Sequence, residues 1–384
     1  MTSICGEPLR LPPSPCPPGG LAPEQVPQFV IFGNDDNGYA GLDDSGARLP
    51  GAGGTAWFVD LFDRGTNPRG RGNPDTFDGR RPHFSLMGLG RYIAGDRAAA
   101  CRRAWRLALE KGHDIGNHTH NHPHGTTADA AIWEAEIRTS LAQVCAPWDP
   151  AALHRPDTGI GVPRESICGF RAPYLQYNDH LFCVLEKLGF AYDASIEEGF
   201  EPGQDGTRHF WPYTLHGGSP ANPAIGAHPG ILEIPVYPFL VPSDDLCARY
   251  GVSAGLRKSL AARESNPDFS KDHDHDYVHM DDGRIRGMDY DLWKEYRVTA
   301  PEMLALLKYT LDVRLRSNRA PMSVCMHSDF YTENPWGDTH YGVETHAARQ
   351  WALESFFDYA LSLPAVRIVS NAELVRWLRH PVPL

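Results

Sequence analysis

Short apolar runs recur along this chain, divided by polar, glycine-marked turns and by longer stretches of helical periodicity. Gln28-Phe29-Val30-Ile31-Phe32-Gly33 is nearly continuous in apolar residues, as expected of a strand buried on both faces of a parallel sheet. Comparable runs lie at 83–87, around Ile115, at 167–170, 191–196, 231–236, 322–326 and 366–369. Between them the 3.6-residue period predicts helices over about 97–111, opened by Asp96, and over 128–144. Further helices are expected from Asn178 to about Leu188, from Thr299 and Pro301 to about Arg316, over 346–363, and from Asn371 towards His380. About seven or eight strands, most followed by a helix, describe an α/β chain folded as a distorted (β/α) barrel with long loop insertions.

The 384 residues would by length alone suggest two or three domains, but a barrel with insertions reaches this size as one. The pattern divides into a Pro-rich arm, 1–25, and a barrel, 26–384, with insertions near 39–81, 197–230 and 244–297. A hydrophobic share of 41% supports a sizeable core. No apolar run approaches the roughly 18 residues that span a bilayer. The formal charge of -12 argues against a nucleic-acid partner, which needs a basic face. Eight cysteines without a C-x-x-C read mostly as buried small residues, with Cys5 and Cys16 in the arm either bridged or free. Residues 1–12 lack a basic start and an apolar run, so the expected location is the cytoplasm, or outside the cell if a leader has been removed.

Chemistry gathers where strands end. Asp35-Asp36 follows the first strand, His118-Thr119-His120-Asn121-His122-Pro123-His124 the third, Arg171-Ala172-Pro173-Tyr174 the fourth, and His327 closes a late one. Two imidazoles four apart in a helical turn can share one metal ion, but His118/His122 and His120/His124 have the same spacing, and the local pattern leaves both open. Histidine-rich stretches also occur as solvated turns. Asp43-Asp44 reads as a turn, and the Asp/His run from Asp272 to His279, which follows no clear strand, as a solvated acidic loop.

In this order, Asp-Asp, His-Thr-x-x-His, Arg-x-Pro-Tyr and a late strand-end His, the chain resembles the polysaccharide deacetylase family, carbohydrate esterase family four, from about Val26 to Pro381. Val26-Pro27-Gln28, Arg171 to Leu175, Trp211-Pro212-Tyr213-Thr214-Leu215 and Asn318-Arg319-Ala320-Pro321 are similar to its chitin deacetylase-like branch. The resemblance implies that Asp36, His118 and His122 hold a divalent ion, Zn2+ or another transition metal such as Co2+. It implies Asp35 as general base, Arg171 as its bidentate partner, the Tyr174 backbone N–H as oxyanion donor, and His327 as the acid that protonates the departing amine. Pro173, Trp211, Phe330 and Tyr331 are the expected substrate-binding residues. The expected reaction is removal of N-acetyl groups from N-acetylglucosamine-containing carbohydrate, chitin or chito-oligosaccharide. Peptidoglycan or a small acetylated metabolite are alternative substrates, and a binding protein without turnover is the alternative class. The chain departs from the family where Gly33-Asn34 and Asn37 flank the acidic pair, where Cys325 replaces a Leu, and where Leu232 stands at a frequent Trp. The block supplying the carboxylate partner of His327 is not recognisable, with Asp193 and Trp211 nearest to it.

Overall fold

In the computed structural model residues 9–95, 98–201, 204–264, 283–333 and 341–384 are described. Strand β1 (Gln28–Asp36) is buried along almost its whole length and sets the register for the rest. The other strands are β2 (Ser85–Gly88), β3 (Asp114–Asn117), β4 (Gly169–Phe170), β5 (Tyr192–Asp193), β6 (Tyr213–Leu215), β7 (His228–Glu233), β8 (Phe239–Leu240), β9 (Arg284–Ile285), β10 (Met322–His327) and β11 (Val366–Val369). The main sheet runs β10-β1-β2-β3-β4-β5-β7-β6, with β11 also on β1. Pairing is parallel throughout except between β6 and β7. Because β10 covers Val30 to Asp35 on one edge of β1, β11 and β2 share the other, at Gln28–Ile31 and Gly33–Asp36.

This is a distorted (β/α) barrel, with its distortion between β7 and β10. There the closure is made by irregular chain. Val236 bridges to Glu197, Met288 bridges to Cys325, and the Ser323 hydroxyl donates to the Pro235 carbonyl at 2.7 Å. The stretch carrying Met288 comes from the long insertion, whose β9 pairs antiparallel with β8.

Alternation along β1 divides the core. Val30 and Phe32 face the helix layer, where Phe32 packs edge-on to Phe62 at 5.2 Å. Phe29 and Ile31 face the barrel interior, in a cluster with Met87, Tyr192, Leu232, Trp211 and Trp377. The arm seals that lower end, through Leu9, Leu11 and Leu21 and through hydrogen bonds from the Leu11 and Trp211 amides to Thr214 and Ser14.

The helices are α1 (Gly54–Asp63), α2 (Ala99–Glu110), α3 (Ala130–Cys145), α4 (Asp179–Lys187), α5 (Asp244–Cys247), α6 (Leu256–Glu264), α7 (Ala300–Arg316), α8 (His346–Ser362) and α9 (Asn371–Arg379). Thr299 and Glu302 form a capping box on α7, a local signal worth about 1 kcal/mol per cap. In α9 the cap is Ser370, one residue before the expected Asn371, because Glu373 completes a box with it. The expected cap Asp96, Cys5 of the arm and the 272–279 run lie outside the described residues. Helix α1 lies inside a stretch expected to be loop. It opens through Gly53 and Gly54, both with left-handed φ of 74° and 73°, so its start carries loop-like residues while its later turns bury Phe58, Val59 and Phe62.

Candidate active site

One row of residues crosses the sheet in register: Asp36 beside Gly88, Gly88 beside Asn117, Asn117 beside Phe170, Phe170 beside Asp193, Asp193 beside Glu233. Asp36 stands on this row, His118 and Arg171 one residue beyond it and Asp35 one residue before it, at the C-terminal rim. Asp35 also pairs directly with His327 across the β1/β10 ladder. The rim is conformationally unusual. Asp36, Asn37, Thr119, His122, Tyr174 and Leu175 all take positive φ between 53° and 69°, a concentration of strain that surrounding bonds must hold in place.

Those bonds are visible in the histidine loop. Asn117 Oδ1 accepts the Thr119 amide at 2.9 Å, the Thr119 hydroxyl accepts the His122 amide at 3.2 Å, and Glu136 from α3 accepts the His120 and Asn121 amides. The pair His118 and His122 is therefore presented by an irregular loop, not by the helical turn expected from spacing, since Thr119 and His122 are left-handed. His124 instead stacks on Tyr174 at 4.4 Å and meets Gln176, while His120 stands beside Gly90.

His118 Nε2 and His122 Nε2 lie 3.5 and 3.7 Å from Asp36 Oδ1. Donors about 2.1 Å from a tetrahedral zinc sit about 3.4 Å apart, so the three atoms have the spacing of a metal face. Asp36 Oδ1 is buried without a hydrogen-bond partner, which otherwise costs free energy. His118 Nδ1 meets the Arg171 carbonyl at 2.8 Å, which leaves Nε2 as the ring atom that could ligate an ion. Burial, with His118 and His327 close by, pushes the His122 pKa down to about 2, so its ring is neutral as a ligand must be. The donor set fits a divalent ion.

Asp35 and Arg171 are a buried pair. One guanidinium nitrogen, Nη1, reaches both Asp35 oxygens at 2.9 and 3.2 Å, while Nε donates to the Ala194 carbonyl at 2.9 Å. The expected two-nitrogen fork is not formed, because Ala194 takes the second arm. Burial opposes the Arg171 charge, but Asp35 more than restores it and the net shift is upward. Gly33 now has a reason: a Cβ there would stand 2.5 Å from Arg171 Nη1, so only glycine lets the guanidinium lie across β1.

The carboxylate partner of His327 is Asp289. Its Oδ1 lies 2.6 Å from His327 Nδ1 and its Oδ2 accepts the His327 amide at 2.8 Å. Burial alone would lower the His327 pKa, but Asp289, then Asp36 and Asp35, carry it up to about 10. Burial raises the Asp289 carboxyl, and the imidazolium only partly offsets this. Neither residue named from sequence has this role. Asp193 accepts from the Ser195 hydroxyl and amide beneath the rim, and Trp211 packs against Trp377 at the opposite end of the barrel. Asp289 escaped notice because it sits in the insertion; the only signal was a return from polar loop to the alternating Arg284-Ile285-Arg286-Gly287-Met288.

These groups open onto one cavity of about 400 Å³, lined by Asp35, Asp36, His118, His122, Tyr174 and His327, with Arg91, Arg286, Met288, Asp329, Phe330 and Tyr341 among its further walls. Phe330 contacts His327 and Tyr341 at ring separations of 5.7 and 4.5 Å. Of the expected substrate-binding residues, Phe330 lines the cavity. Pro173, Trp211 and Tyr331 do not: Tyr331 is buried between Trp57 and Phe58, and its hydroxyl accepts from Trp293. Cys325 is likewise fully buried, and Met288, its bridge partner, reaches the cavity instead. Asp329, buried near Asp36, is pushed up to about 7, as is Asp291 by burial despite nearby Arg286.

Fold and site together define a distorted (β/α) barrel that presents an Asp-His-His set, a buried Asp/Arg pair and an Asp-supported histidine at one rim. No family model matches the chain, and no curated protein matches it. Among solved structures it is similar to two proteins provisionally named polysaccharide deacetylases. The one from Mycobacterium smegmatis is 16% identical, with 96% of this chain and 95% of the other covered and a TM-score of 0.49. The one from Pseudomonas aeruginosa PAO1 is 16% identical over the same shares, 96% and 95%, with a TM-score of 0.42. It is also similar to a carbohydrate esterase family 4 pseudoenzyme from Bacillus anthracis, 9% identical over 91% of this chain and 66% of that one, with a TM-score of 0.40.

Proposed function

We propose that residues 26–384 form a metal-dependent carbohydrate deacetylase that hydrolyses N-acetyl groups of N-acetylglucosamine-containing substrates, with chitin or chito-oligosaccharide first. The observation that carries this reading is the flanking of the Asp36/His118/His122 set by a carboxylate and a histidine that are register neighbours, each bonded to its own buried partner. A divalent ion held by the set would lower the pKa of water and polarise an acetyl carbonyl. Asp35, held by Arg171, takes the proton from the attacking water. The Tyr174 backbone N–H supports the developing oxyanion, and left-handed φ at that residue aims the local chain. His327, carrying its proton at neutral pH, delivers it to the amine nitrogen, which cannot leave unprotonated. Phe330, beside His327, offers an apolar face to the sugar ring.

A small acetylated metabolite remains the second substrate reading, favoured by a cavity of only about 400 Å³. Acetate release from N-acetylglucosamine monomer and oligomers, and from peptidoglycan fragments, with and without chelator, separates the readings. Release that rises with oligomer length and stops on chelation supports the polysaccharide reading; release from monomer alone supports the metabolite. Sugar binding without acetate release from any of them would make the protein a binding homologue.

A further inference from the structure

Away from the cleft, where α4 packs beside β7, four side chains with ligand chemistry converge. Asp179, Cys183 and Glu186 follow one another at spacings of four and three along α4 and so share one helix face. Facing them is His228, the buried first residue of β7. Its Nε2 lies 2.9 Å from Asp179 Oδ1, and its Nδ1 lies 3.2 Å from Glu186 Oε2. One ligand atom from each of Asp179, Cys183 and His228 falls in a group whose members all lie within 4.8 Å of one another.

We propose that Asp179, Cys183 and His228 form a second metal site, for a thiophilic divalent ion of the zinc class, with Glu186 holding the far nitrogen of His228. The chemistry of the donors selects the ion. Thiolate, imidazole and carboxylate are the three zinc ligand types, whereas magnesium and calcium take oxygen. The arrangement around His228 is that of a ligand with its support: a carboxylate on Nδ1 holds the ring so that Nε2 faces Asp179. Both carboxylates are themselves fixed by backbone amides, Asp179 Oδ1 by Gly226 at 2.7 Å and Glu186 Oε1 by Gly230 at 3.0 Å. An ion pair between His228 and two carboxylates would need no cysteine, yet between them on this face of α4 stand Phe182, whose ring lies 5.6 Å from the His228 ring, and Cys183 with its thiol. Three protein donors leave one tetrahedral position for water, and the ion would clip α4 to the strand next to β6 at the end of the sheet.

The test uses the full chain and Cd2+ or Zn2+ as probes. His118→Ala/His122→Ala removes two of the three cleft ligands and leaves Asp36 alone, so metal retained by that variant reports the second site. Expected results are a thiolate-to-metal charge-transfer band on adding Cd2+ to both the wild type and this variant. Cys183→Ser should lose the band, and Zn2+ should protect one thiol from a thiol reagent only where Cys183 is present. Because Cys183 is exposed, Cys183→Ser tests the site even if His228→Ala fails to fold. The proposal is overturned if no band forms, if it survives Cys183→Ser, or if it disappears with the cleft ligands alone.

Discussion

At its lower end β1 sends Phe29 and Ile31 into an interior made of Trp211, Trp377, Leu232 and Val375, whereas four residues later the same face of the same strand carries Asp35 against Arg171. Both ends are equally buried, but they are held by different physics. The lower end is non-directional apolar packing, sealed by the arm. The rim is made of charges whose desolvation is offset only by specific partners, and it carries six residues at positive φ and, at Asp36, a buried carboxylate oxygen without a hydrogen bond. A change at the lower end should therefore register as lost stability, and a change at the rim as lost chemistry.

The largest effect should come from the metal face. His122→Ala removes one of three donors, and in a Cys183→Ser background, which leaves only the cleft set, we expect metal content and acetate release to fall together to background; activity with no bound metal would break the proposed mechanism. Next is Asp35→Asn, which keeps shape and leaves the metal ligands untouched. Acetate release should fall by about 10²–10⁴-fold, the range for a lost general base, with metal content by atomic absorption unchanged. Retained turnover in this variant would remove Asp35 from its role.

The contrast between the two ends also explains what could be read from sequence. Strand β1, strand β10 and helices α7 and α8 were legible because long apolar runs, helical periods and capping residues such as Thr299 act locally. Asp35, Asp36, His118, His122, Arg171 and His327 were legible as polar residues where such strands stop. Asp289 was not, since it is positioned by contacts distant in sequence: β9 is two residues long, and Met288 reaches β10 through a single bridge. The ring residues failed for a related reason. An aromatic near the end of a strand looks the same in sequence whether it lines a cleft, as Phe330 does, or fills a core, as Tyr331 and Trp211 do.

Asp289→Asn should have an intermediate effect with a diagnostic pH dependence. In the proposed mechanism His327 acts as an acid in its protonated form, so activity should be lost as pH rises through its pKa, carried up to about 10 largely by Asp289. Without that carboxylate, burial dominates, and the alkaline limb of kcat should move down by roughly 1–3 pH units. Stability follows the same sign in the metal-free protein. A folded-state pKa raised above the ordinary 6.5 contributes stability that is complete below pH 6.5 and lost between there and about 10. The variant should lack this decline in urea melts taken across that window; an unchanged decline would mean that His327 is not its source.

The smallest effect on chemistry should come from Trp211→Ala, and it is the sharpest test of the division. The indole donates to the Asn318 carbonyl at 3.1 Å and stacks obliquely on Trp377, its centroid 5.9 Å away, so its loss opens a cavity in the lower core. Truncating a buried tryptophan costs about 3–5 kcal/mol, which urea melts would show directly. Yet no part of the indole lines the cleft, and β1 between the two ends is locked by three neighbouring strands. Below the unfolding transition, kcat/KM per folded molecule should stay within about twofold of wild type, a change under 0.5 kcal/mol in barrier. If KM for sugar rises sharply while stability holds, Trp211 belongs to substrate after all, and the separation between a packing end and a chemical end fails at the residue where it is most exposed to test.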